Sequence, residues 1–207
     1  MSQAAVVHAE EHHRDYFGAK LGMWLFLVTE ILLFSGLFIA YSYMRSLYPA
    51  EFHHAGSELN AVIGVANTFI LLTSSLTMAL GIVALQRGER RRALAAVCAT
   101  ILLGLAFLID KAVEWTAEIG HGLYPRSPHL AAQPPGEQVF FGLYYTMTGL
   151  HGLHVLAGMA VLTTMAVLLA RDRIPLERSV LLENTGLYWH LVDVVWIFLL
   201  PLFYLAA

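Results

Sequence analysis

LGMWLFLVTEILLFSGLFIAYSYM, Leu21 to Met44, runs for 24 residues with one ionisable side chain, Glu30. At a helical rise of about 1.5 Å per residue it reaches about 36 Å, more than a bilayer's hydrocarbon core of about 30 Å. Outward from it, four more blocks reach the roughly 20 apolar residues that a membrane helix needs. The expected spans are Gly18–Met44, Leu59–Gln86, Ala93–Glu118, Gln138–Ala170 and Val180–Leu205. Across all 207 residues 58% are hydrophobic and 13% charged, and the mean hydropathy is +0.64. Soluble domains carry about 25% charged residues. Too few polar residues remain here to clothe a water-facing surface, which excludes a soluble helical bundle. The fold class is therefore an all-α integral membrane protein, one domain of five transmembrane helices.

The first block is not read as a signal peptide. It follows a charged leader (HAEEHHRDYF, His8–Phe17), exceeds the length of such a segment, and has no small-residue cleavage site after it. Orientation follows from the basic residues, which favour the cytoplasmic side. One side collects Arg14, Lys20, Arg87, Arg90, Arg91, Arg92, Arg171, Arg173 and Arg178, and the other only Arg45 and Arg126, while Lys111 lies inside a helix. That distribution places the N-terminus inside and the C-terminus outside.

RGERR, between the second and third spans, permits only an antiparallel hairpin. Ile119–Glu137 holds four of the seven prolines and reads as a non-helical outer loop. A helix over Gln138–Ala170 is about 50 Å long, so it must tilt or protrude. Gly142, Thr146, Gly149, Gly152 and Gly158 along it invite close helix approach, and Asn67, Ser74 and Ser75 offer polar contacts of the same kind in the second span. Cys98 stands alone and reads as a small packing residue. A net charge of −3 without a basic stripe gives no sign of nucleic-acid binding.

Ionisable groups at bilayer depth are costly unless paired or turned inward. Glu30, His151, His154, His190 and Asp193 fall near mid-helix, with Lys111 and Glu114 further along the third span. His151–His154, His190–Asp193 and Lys111–Glu114 are each three residues apart, so each pair is expected to share a helical face. Lys111 and Glu114 can neutralise each other, and Asp193 can accept a proton from an imidazole. Glu30 has no ionisable neighbour within one turn and must find help on another helix or stay neutral.

Three functions compete. A metal or haem site has suitable ligand types, but no HExxH and no paired Glu-x-x-His motifs. A transporter with a proton relay lacks the repeats and broken helices of that class. In a structural and interaction subunit, the buried polar pairs specify helix packing.

Four stretches bear on the choice: LGMWLFLVTEILLFSG, NTFILLTSSLTM, TGLHGLHVLAG and YWHLVDVVWIFLLPL, with KAVEW beside them. Together they make the chain resemble subunit III of the haem-copper terminal oxidases, the cytochrome c and quinol oxidases, from Lys20 to the C-terminus. The resemblance implies a subunit with no catalytic, metal or cofactor-binding residue of its own, the haem and copper lying in partner subunits. It implies packing against subunit I, with subunit II and a small subunit IV also in the complex, a proton-pumping oxidase that reduces O₂ to water in a bacterial inner membrane. It also implies bound structural phospholipid and support of proton uptake. Glu30 matches a buried glutamate beside the lipid-holding region, and Glu114, His151, His154, His190 and Asp193 fall on positions expected to make interhelical hydrogen bonds. Many members have seven helices, the first two splayed to form a lipid cleft, and this chain lacks that pair. Cytochrome c is the expected donor to the complex. A ubiquinol oxidase, or the related chain of a nitric oxide reductase system, is the alternative.

Overall fold

A computed structural model describes residues 3–173 and 180–205, with side chains from Phe17 onward. Arg178, one of the orienting basic residues, lies outside the described residues. The elements are α1 (Gln3–Leu47), α2 (Pro49–Glu58), α3 (Ala61–Gln86), α4 (Arg90–Gly120), α5 (Pro128–Ala131), α6 (Pro135–Ala170), α7 (Val180–Leu200) and a closing π-helical turn, Pro201–Leu205. Among the described residues, five helices are long and apolar enough to cross a membrane: Phe17–Leu47, Ala61–Gln86, Arg90–Gly120, Pro135–Ala170 and Val180–Leu205. The chain is an all-α, five-span membrane protein, as its composition requires.

Local chemistry sets the ends. Asn60 accepts hydrogen bonds from the Val62 and Ile63 amides at 3.0 and 3.3 Å, so α3 begins at Ala61 and not at Leu59. Between α3 and α4, Gly88 takes φ +79°, a left-handed conformation that glycine adopts without penalty. The Glu89 amide then reaches back to the Ala84 carbonyl at 2.9 Å and closes the hairpin. Arg90 ties this end to α6, with Nε donating to the Leu169 carbonyl at 3.0 Å and the guanidinium pairing with Asp172 at 2.6 Å.

Two short elements escaped the sequence reading. The connection 119–137 is not wholly non-helical: Ser127 accepts from the Leu130 amide at 3.0 Å and starts the single turn α5. Helix α2 likewise sits where no helix was expected, started by Pro49 at its first position, where a missing N–H costs nothing. Both docks are made by apolar side chains, Phe52 and Leu130, which are fully buried.

Helices α3 and α4 pack along their whole length, α7 lies against α3 and α6, and α6 also meets α4. Trp189 of α7 sits between α4 and α6. A Cβ on Gly104 of α4 would stand 2.8 Å from its ring and one on Gly158 of α6 2.9 Å, so the indole fits only because both positions are bare. Small residues thus bring helices together as expected, with one correction. Gly142 and Gly152 face open space; Gly152 instead lines an apolar groove of about 250 Å³ between α4 and α6. Cys98 is exposed, not packed. Helix α1 is the least embedded: 11% of its apolar span is buried, against 44% for α7.

Candidate functional site

Glu30 finds its help on α6. Its Oε2 lies 2.8 Å from His154 Nε2, and the other ring nitrogen, Nδ1, lies 2.8 Å from the Leu150 carbonyl four residues back. A carbonyl can only accept, so Nδ1 carries a proton. One further proton then sits on the Nε2–Oε2 line, and the dyad as a whole is electrically neutral whichever atom holds it. Phe34 of α1 packs edge-on against the imidazole at 5.2 Å. Both side chains keep a little exposure, 15% for Glu30 and 17% for His154. The dyad is the main polar tie between α1 and the bundle at mid-membrane. Lys20 with Glu183, 2.9 Å apart, secures one end, and the Tyr41 hydroxyl donating to the Leu202 carbonyl secures the other.

His151 does something else. The three-residue spacing predicts a shared direction, but the two rings diverge to different neighbours: His154 to α1, His151 into the core between α4 and α7. There it meets Phe107 edge-on at 5.5 Å and Trp196 at 5.4 Å, 1% exposed, with neither nitrogen hydrogen-bonded to a described residue. HGLH thus supplies one histidine that ties α6 to α1 and one that is buried among aromatic rings.

Lys111 and Glu114 pair as their spacing predicts, at 3.0 Å. Two residues that sequence reasoning missed complete this site. Tyr144 of α6 donates to Glu114 Oε1 at 2.5 Å, and Tyr204 of the π-helical turn donates to the same oxygen. Lys111 Nζ also reaches the two phenols, at 3.2 and 2.6 Å, and lies about 5 Å over the ring of Trp196. An ion pair taken out of water needs such additional hydrogen bonds to offset its desolvation. Tyr144 could have been found from the buried face of the fourth span; Tyr204 could not, because the π-turn that aims it leaves no sequence pattern.

His190 and Asp193 do not pair with each other. His190 Nδ1 shares a hydrogen bond with Ser75 of α3 at 2.6 Å. Asp193 lies buried beside the same serine, its carboxyl within reach of the hydroxyl but in no well-aligned hydrogen bond with a described residue. The serine hydroxyl stands where the imidazole was expected to go and takes the histidine first. One turn along, Trp189 donates to Ser74 at 3.0 Å, and Trp196 to Thr68 at 3.1 Å. Asn67, fully buried, has no such partner in the described chain.

Among the described residues no three His, Cys, Asp or Glu side chains converge as metal ligands. Glu30 and Glu114, which a bundle-type metal centre needs together, are engaged separately, one with an imidazole and one with an ammonium. Fold and polar network define a multi-pass membrane subunit whose inward-facing ionisable groups join helices to one another.

Its family is identified by comparison. Residues 2–207 match the family model described as Cytochrome c oxidase subunit III, and the chain belongs to that family. It is 33% identical to the cytochrome c oxidase subunit 3 of Thermostichus vulcanus, over 98% of this chain and 93% of that one. To the cytochrome bo(3) ubiquinol oxidase subunit 3 of Pseudomonas aeruginosa it is 31% identical, over 98% and 92%. The cytochrome c oxidase subunit 3 of a Synechocystis strain is 33% identical over 95% of this chain. The chain is thus a subunit III of an oxidoreductase complex and works in association with the other oxidase subunits.

Proposed function

We propose that this chain is the non-redox subunit III of a haem-copper oxidase that takes electrons from cytochrome c and reduces O₂ to water. It lies in a bacterial inner membrane, N-terminus inside and C-terminus outside. Haem and copper reside in partner subunits, with subunit I as the main contact and subunits II and IV beside it. Its own contribution is to stabilise subunit I, hold structural phospholipid and support proton uptake.

The observation that carries this reading is the use made of the histidines. His154 has both nitrogens engaged by protein groups, His190 is held by Ser75, and His151 is walled in by Phe107 and Trp196. The hydrogen-bonded two, His154 and His190, tie α6 to α1 and α7 to α3. The thinly embedded α1, with its row of exposed apolar side chains such as Leu25, Leu32 and Ile39, gives the chain a face for lipid or a neighbouring subunit. Ubiquinol as donor is the second reading, favoured by the bo(3) relative.

The test is to purify the oxidase with and without this chain. The expected result is unchanged haem content and initial turnover in the depleted enzyme, followed by faster loss of activity over successive turnovers. Loss of haem or of all turnover at the first cycle would overturn the proposal.

A further inference from the structure

Four titratable side chains follow one another along α4 at intervals of three, four and three residues: Lys111, Glu114, Glu118 and His121. That is a helical stripe, climbing about 15 Å over the ten steps from Lys111 to His121. Its first three members are buried, at 7%, 3% and 7% exposure. The last is exposed at the end of the helix, and exposed Glu58 of α2 lies within electrostatic reach of the same carboxyl, Glu118.

Hydrogen bonds within the protein satisfy only the inner half of this stripe. Glu114 Oε1 takes Lys111, Tyr144 and Tyr204, but its Oε2 has no partner. Glu118 Oε2, Trp115 Nε1 and the Tyr145 hydroxyl have none either. These four atoms are all buried and come from neighbouring positions on α4 and α6, whose Trp115 and Tyr145 rings stand 5.1 Å apart. Glu114 and Glu118 are both within electrostatic reach of Tyr145. The group contains two acceptors and two donors, the complement that enclosed water bridges. Buried polar atoms of this kind are seldom left without partners, and four on adjoining turns of two packed helices call for an occupant.

Charge narrows what that occupant is. Lys111 matches the charge of Glu114, which leaves Glu118 as a second buried carboxyl whose Oε2 has no donor among the described residues. A metal ion is the wrong guest, because the Lys111 ammonium already sits in the cluster and three metal-ligating residues do not converge there. Water supplies donors and acceptors at once and lets a carboxyl gain or lose a proton.

We propose that Glu114, Trp115, Glu118 and Tyr145 enclose bound water, and that the stripe from Lys111 to His121 is a blind-ended proton-exchange path open at the α2 end of the bundle. Each transfer moves one proton between a carboxylate oxygen and a hydrogen-bonded water, and the bulk phase supplies or receives it at His121 and Glu58. The path stops at Trp196, whose ring packs against both Lys111 and His151. Beyond it Phe107 closes over the imidazole, so protons enter and leave at one end and do not cross the membrane.

The experiment uses the whole oxidase. A high-resolution electron cryomicroscopy map is expected to show ordered water within hydrogen-bond distance of Glu118 Oε2 and the Tyr145 hydroxyl. A dry cluster with these atoms in direct contact overturns the proposal. In oriented proteoliposomes, infrared difference spectra are recorded while pH is changed on one side only. A carboxyl signal is expected when the α2 side is titrated, lost in Glu118→Gln with haem content unchanged. A signal driven from the opposite side, or one surviving in both Glu118→Gln and Glu114→Gln, refutes the path. Should Glu118→Gln fail to assemble, the map and the side-dependence of the wild-type signal decide the matter without it.

Discussion

Separating Glu30 from His154 tests how α1 is held. The bond between them is 2.8 Å long, and the imidazole is oriented by the Leu150 carbonyl on its other side. With the pair 15% and 17% exposed, the 3–5 kcal/mol loss on breaking a fully buried ion pair is too large a guide. Interhelical hydrogen bonds in membranes measure about 0.6 kcal/mol on average and about 1.7 at most. Two-sided anchoring of the ring and the edge-on Phe34 put this one toward the upper end, at about 1–1.5 kcal/mol. Glu30→Leu alone is a poor measure, because leucine is better solvated by lipid than glutamate and that gain masks the lost bond. A double-mutant cycle with His154→Leu removes the solvation difference. The assay is reversible unfolding of the chain in mixed micelles, followed by tryptophan fluorescence. Glu30→Gln serves as the control: its amide N–H donates to the same Nε2, so it should retain most of the coupling. A coupling energy under about 0.3 kcal/mol, the ordinary limit of additivity, or a Glu30→Gln as weak as Glu30→Leu, would refute the reasoning.

The other predictions concern the core. Gly158→Ala forces a methyl group against the Trp189 ring and should cost about 1–3 kcal/mol, whereas Gly152→Ala, facing open space, should be neutral or slightly stabilising; thermal retention of the subunit in the purified oxidase separates them. Lys111→Met leaves Glu114 buried without its cation and should cost about 3–5 kcal/mol, enough to reduce assembly as judged by subunit stoichiometry. His151→Phe removes two nitrogens that no described side chain satisfies and keeps the aromatic contacts. It should leave stability within about 1 kcal/mol of wild type, while His154→Asn weakens retention of the subunit, and neither changes the visible spectrum of the oxidase.

The five spans were legible because a bilayer tolerates nothing else over such lengths: the expected blocks agree with the helices to within about three residues at most ends, the usual margin. Elements that lie at the membrane surface were not legible. Helix α2, PAEFHHAGSE, is ten residues long and polar, too short to stand out beside the apolar spans, and its place is set by Phe52 reaching the core. Within the site, pairing inside one helix was readable from spacing, as Lys111 and Glu114 show. Pairing across helices depends on register, which spacing does not encode. Glu30 was visible as a carboxyl in need of a partner, but nothing local distinguishes His154 from His151 as that partner. His190 and Asp193 show the converse error: a plausible pair on one helix was displaced by Ser75 from the next.

The most direct test of the central claim is the metal and haem content of this chain, purified in detergent away from its partner subunits. The account predicts a visible spectrum with no Soret band and no stoichiometric transition metal. A bound haem, or one copper or iron per chain, would contradict it and return His151, His154 and His190 to the list of ligands.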